Sequence, residues 1–87
     1  MEWSKSITVH PNPFNEKATL TFYLLKEEKV MIGMYNMVGQ CIKSFDLGKR
    51  EAGNNEFEII SSDVPSGLYF IRLQAGTAIY TQKVVID

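Results

Sequence analysis

Apolar and polar residues alternate with a period of two along most of this chain, and that alternation constrains its fold more than any other feature. Ile7 and Val9 alternate with Thr8 and His10, and Leu20, Phe22 and Leu24 alternate with Thr19, Thr21 and Tyr23. Val30, Ile32 and Met34 alternate with Met31, Gly33 and Tyr35; Phe57 and Ile59 with Glu56 and Glu58; Tyr69, Ile71 and Leu73 with Phe70, Arg72 and Gln74. Successive side chains of a strand point to opposite faces, so this spacing predicts half-buried antiparallel strands. The run from Cys41 to Leu47 is less regular. Its Ile42 and Phe45 are three apart, which fits a β-bulge. The last run, Ala78 to Ile86, has a polar middle and an apolar end.

Turn chemistry separates the runs. Asn36-Met37-Val38-Gly39 and Val64-Pro65-Ser66-Gly67 both read as type I turns, the first with Asn leading and Gly last, the second with Pro in second place. Gly76-Thr77 reads as a two-residue hairpin loop of type II′. Lys26 to Lys29 reads as a charged, solvated link, and Gly48 to Gly53 as a charged loop bounded by glycines. About seven short strands with turn signals every 8–12 residues or so predict an all-β fold, an Ig-like antiparallel β-sandwich. Its two sheets are expected to face each other across Leu20, Phe22, Val30, Ile32, Ile42, Phe57, Ile59, Tyr69, Ile71, Leu73, Val84 and Ile86.

Pro11-Asn12-Pro13-Phe14-Asn15 interrupts the alternation early. Each proline lacks a backbone N–H and fixes φ near about −65°, and each pushes the residue before it toward extended geometry. The segment therefore reads as a stiff corner that ends one strand and redirects the chain into the next.

The 87 residues allow one domain, and 45% hydrophobic with 11% aromatic residues suffice for a packed core. The net charge of −1, with Lys49-Arg50 the longest basic run, does not fit a nucleic-acid binder. One cysteine, Cys41, excludes an intramolecular disulfide and a cysteine-built metal site. No apolar stretch approaches the roughly 18 residues of a membrane span, and residues 1–5 carry no signal-peptide core. They read as linker or start residues, with the domain occupying residues 6–87. If the domain is exported, its export signal is expected on a portion preceding this chain.

No catalytic constellation can be assembled. The single histidine, His10, reads as an exposed strand-end residue with no orienting carboxylate nearby. Glu27-Glu28 sits in a turn, while Glu56 and Glu58 lie on a polar strand face. Asp46, Asp63 and Asp87 are isolated, and no calcium loop or phosphate-binding glycine cradle is present. No enzyme activity, metal or cofactor is expected. The aromatics Trp3, Tyr23, Tyr35, Phe70 and Tyr80 admit two readings: ordinary cross-strand packing, or a stacking face for sugar rings in a carbohydrate-binding or adhesive module. Two sheet edges leave room for strand addition or an edge-strand dimer.

The ordered set Pro11-Asn12-Pro13-Phe14-Asn15, Val30 to Gln40, Val64-Pro65-Ser66-Gly67-Leu68-Tyr69 and Lys83-Val84-Val85-Ile86 resembles the type A C-terminal sorting domain of the bacterial type IX (Por) secretion system of Bacteroidetes, over about residues 6–87. The resemblance implies an address label. The preceding cargo would be an exported protein. The domain would direct it from the periplasm to the outer-membrane translocon, for surface display or release, in many cases with cleavage by a sortase-like peptidase. The family's recurring motifs fall here on Pro11, Asn12, Pro13, Gly39, Gly67 and Tyr69, and on Lys83, Val84, Val85 and Ile86. Of these, the prolines and glycines shape corners and Tyr69 fills the core. The final strand is the candidate for recognition, with a free end and the Lys83 side chain in reach of solvent. A similar set of motifs in the Ig-like domain of the flagellar hook-capping protein offers a structural assembly module as the alternative.

Overall fold

The computed structural model describes residues 7–87. The alternating runs form seven strands: β1 (Ile7–His10), β2 (Lys17–Leu24), β3 (Glu28–Tyr35), β4 (Cys41–Arg50), β5 (Gly53–Ile60), β6 (Gly67–Ala75) and β7 (Ala78–Ile86). They make two antiparallel sheets, one ordered β1-β2-β5 and the other β4-β3-β6-β7. The sheets face each other as a sandwich, so the Ig-like expectation holds. The chain crosses between layers at β2–β3, β4–β5 and β5–β6.

The core lies where the alternation placed it. Leu20, Val30, Met34, Ile59, Ile71 and Val84 are fully buried. Phe57 is only half-buried, packing against the core's edge with its ring 5.0 Å from that of Phe45 on β4. Ile42 is the exception. It was expected inside and is 39% exposed. Met34 pairs with Lys43 and Tyr35 with Cys41, so Ile42 is the extra residue of a bulge. That insertion shifts the phase of β4, and Phe45 takes the inward place opposite Ile32. A second shift skips Leu47.

Two connections differ from the sequence reading. The Gly48–Gly53 loop shrinks to Glu51-Ala52, because Lys49 and Arg50 still pair with Lys29 and Glu28; charged side chains on an edge strand stay solvated without breaking the ladder. The hydrogen-bonded turn near Pro65 lies three residues earlier, at Ser61-Ser62-Asp63-Val64, where the Val64 N–H donates to the Ser61 carbonyl at 2.9 Å. Burial of Val64 draws the turn back, leaving Pro65 and Ser66 in an open bend. The hairpins follow expectation. The β6–β7 loop has Gly76 at φ +62° with no positive φ at Thr77, as in a type II′ turn. In the β3–β4 hairpin the Gly39 N–H donates to the Asn36 carbonyl at 3.0 Å, and Gly39 lies at φ +87°, a conformation that favours glycine.

Candidate functional site

The corner at Pro11–Asn15 and the end of β7 build one unit. The two prolines have no N–H to offer, so the N–H donors between and after them are those of Asn12 and Phe14; the His10–Pro11 and Asn12–Pro13 bonds are both cis. Both residues are used. The Val85 N–H donates to Asn12 Oδ1 at 3.0 Å, and Asn12 Nδ2 donates to the Lys83 carbonyl at 3.3 Å. The Phe14 N–H donates to the Val85 carbonyl at 3.0 Å, and the Asp87 N–H to the Phe14 carbonyl at 2.8 Å. The Phe14 ring is buried at 3% exposure. Phe14 thus bridges Ile86 in parallel sense, and the corner acts as a short extra strand along β7.

This changes the reading of the final strand. From Lys83 to Ile86, β7 pairs with β6 on one edge and meets the corner on the other, so its main chain is not free. Val84 and Ile86 are core residues, at 0% and 2% exposure. Lys83 and Val85 face outward, and the Lys83 side chain does reach solvent. The part of β7 whose outer edge carries no backbone bond, among the described residues, is its upstream half at Ala78–Gln82.

The other motif positions gather at the same end of the sandwich. Gly67 pairs with Ile86, and Tyr69 with Val84. The Tyr69 hydroxyl donates to the Pro65 carbonyl at 2.7 Å, pinning the open bend to β6 in the manner of a tyrosine corner. Tyr35 pairs with Phe70 and Phe70 with Lys83, so the β3–β4 hairpin tip that follows Tyr35 extends toward this end too. Asn36 organises that tip: its Oδ1 accepts from the N–H groups of Gln40 and Val38 at 2.9 and 3.1 Å. Pro11, Asn12, Pro13, Gly67 and Tyr69 therefore lie around Lys83–Ile86 at one end of the sandwich, and Gly39 sits in the hairpin tip directed toward the same end.

Three participants have roles that the sequence reading did not assign: buried Phe14, the hub Asn36, and Lys43. Phe14 carried a signal, as the one apolar residue in a polar corner. Lys43 projects from β4 to the opposite sheet, where its Nζ donates to the Ile60 carbonyl at 2.8 Å and pairs with Asp63 at 2.7 Å. Its hydrogen bond and charge hold the Asp63 carboxyl below the ordinary value of 3.8. Close by, the Ser61 hydroxyl is buried with no partner.

The described residues bring no reactive set together. His10 ends β1 and Cys41 begins β4 on the other sheet, both exposed. Among the described residues no three His, Cys, Asp or Glu side chains gather, and no helix is long and apolar enough to cross a membrane. The sugar-stacking face does not form as a set. Tyr23 lies on the three-stranded sheet, Tyr80 packs against the core, and Trp3 falls outside the described residues. Tyr35 and Phe70 alone share a face, beside a depression of about 130 Å³, well short of the roughly 300 Å³ of a small ligand pocket.

Among the described residues, the motif positions lock the first corner to the final strand and no metal-ligating cluster forms. No curated protein matches it. The family model of the secretion system C-terminal sorting domain does match, from residue 8 to residue 87. Spanning the corner, both hairpins and the terminal strand alike, that match places this chain in the secretion system C-terminal sorting domain family.

Proposed function

We propose that this domain is a folded address label of the type IX secretion system, recognised by the outer-membrane translocon while it is still joined to an exported cargo. The cargo is then displayed on the cell surface or released, with a sortase-like peptidase removing the label in the displayed case. The observation that carries this reading is the family match over residues 8–87, which includes every motif position gathered at one end of the sandwich. The label works by protein recognition and performs no catalysis. Within the terminal strand the recognised groups are Lys83 and Val85, which face solvent. Val84 and Ile86 serve recognition indirectly, by holding that strand in place.

The test is a fusion of the whole chain behind a signal peptide and a reporter, expressed in a type IX-competent bacterium. The reporter should reach the surface or the medium. A reporter retained in the periplasm would refute the proposal. Removing Lys83–Asp87 is a poor test, because it strips Val84 and Ile86 from the core and uncovers Phe14. Lys83→Glu and Val85→Asp are better, since neither side chain is buried.

A further inference from the structure

The two outer faces of the sandwich differ in chemistry. Strand alternation gives the three-stranded sheet a mostly polar exterior, with Thr8, Thr19, Thr21, Glu56 and Glu58 on it and the exposed Tyr23 and Ile60 toward its two ends. The exterior of the four-stranded sheet is different, and its register fixes a grid. Asp46, Met31, Gln74 and Ile79 form one row, and Ser44, Gly33, Arg72 and Thr81 the next. Cys41, Tyr35, Phe70 and Lys83 form a third, followed by Leu68 beside Val85.

Apolar groups crowd this exterior. Met31 is 49% exposed, Ile79 50% and Val85 37%. The Tyr35 ring lies over Gly33, where a Cβ would come within 2.6 Å of Tyr35 Cε1. Glycine here gives the aromatic ring a seat on the sheet. The Arg72 guanidinium sits 5.9 Å from the centre of the same ring, a cation–π geometry that holds the charge in place on an apolar surface.

The charge on this exterior is one-sided. Lys29, Lys49, Arg72 and Lys83 occupy strand positions on it against a single carboxylate, Asp46. Lys29 and Lys49 are directly opposite each other, an arrangement of like charges that destabilises a sheet. The ion pairs among the described residues, Lys17–Glu58 and Lys43–Asp63, leave these four cations out. Tyr, Phe, Met and Arg together are the residues enriched in the centres of protein interfaces. Among the described residues no carboxylate pairs with these cations, and a partner presenting carboxylates would complement them.

We propose that the outer face of the β4-β3-β6-β7 sheet is the surface on which this domain is read, and that its occupant is a protein surface presenting carboxylates around an apolar centre. This rests on the sorting reading above and extends it from two residues of β7 to a face centred on Tyr35, Phe70 and Arg72.

The reporter fusion carries the test, with the full chain in every variant. Arg72→Glu with Lys83→Glu should cut surface reporter about tenfold or more, the effect of losing roughly 1.4 kcal/mol of recognition. Arg72→Lys with Lys83→Arg keeps the charge and should stay within about twofold, since carboxylate pairing is conserved. Lys17→Glu makes the same kind of charge change on the other face and should leave export at the parent level. Circular dichroism melts of each purified chain confirm that the variants fold. If the parent fusion stays in the periplasm, the sorting reading itself fails. If the parent is exported and the double glutamate variant is exported equally well, this face is not the one read. Two further results would overturn the stated occupant. One is a dimer in sedimentation that the same substitutions dissolve, which makes a second copy the occupant. The other is charge-dependent binding to phosphatidylglycerol vesicles, which makes it a membrane surface.

Discussion

Truncating alternate residues of the final strand separates packing from addressing. Ile86 is 2% exposed and Val84 is fully buried, both against the core that Phe14 closes. Replacing a buried isoleucine by alanine removes its transfer free energy and leaves a cavity, at a cost of about 2–5 kcal/mol. An 87-residue domain has a total stability of about 4–13 kcal/mol, so Ile86→Ala removes a large fraction of it. At roughly 4–8 °C per kcal/mol for a domain of this size, the melting temperature should fall by about 8 °C or more. Val84→Ala should cost somewhat less, having fewer methyl groups to lose. Lys83→Ala and Val85→Ala, which face outward, should stay within about 0.5 kcal/mol of the parent. The assay is urea and thermal unfolding followed by circular dichroism. The reasoning is refuted if Ile86→Ala melts with the parent. It is refuted equally if Lys83→Ala is the damaging change, since a one-residue slip of register exchanges the two faces.

Three smaller perturbations follow from the same end of the sandwich. Tyr69→Phe keeps the ring in the core but removes the hydroxyl bonded to Pro65, and should lower unfolding free energy by about 0.5–1.5 kcal/mol; no change in urea midpoint would remove the tyrosine corner from the account. Ser61→Ala should raise stability by about 1 kcal/mol, because the buried Ser61 hydroxyl has no partner and its desolvation is uncompensated; a loss of stability would mean that the hydroxyl is satisfied. Asp63 has a folded-state pKa below the ordinary 3.8, so its pairing with Lys43 stabilises the fold above that pH, and the contribution disappears as pH falls through the folded value. Asp63→Asn should therefore melt below the parent at neutral pH, and the gap should close on acidification below about pH 4; a gap independent of pH would refute the assignment.

Strand content was legible because alternation is a local signal, and five of the seven strands rest on it, β4 and β7 being read from less regular runs. The Ile42 bulge shows the limit. The three-residue spacing to Phe45 was visible in the sequence, but which of the two would turn inward depended on pairing with β3. The turn near Pro65 moved because burial of Val64 outweighed proline's preference for second place in a turn. The corner was legible as a corner and not as a strand partner. Asn12 meets Val85 across 73 residues of chain, and no local pattern encodes so distant a contact. The same holds for the terminal strand, whose sequence signals an extended end while its capped edge depends on Phe14. The charge asymmetry between the outer faces needed the register before it could be seen.

The clasp between Asn12 and Val85 also has a consequence in time. A polypeptide emerging from its N-terminal side exposes Phe14 early, and the backbone partners of Phe14 follow only with residues 85–87. Contacts between distant parts of a chain form late, after the loop-closure entropy has been met. The sandwich is thus completed last at the place where its motifs converge, and a chain interrupted before residue 83 leaves the corner at Asn12 and Phe14 without its backbone partners.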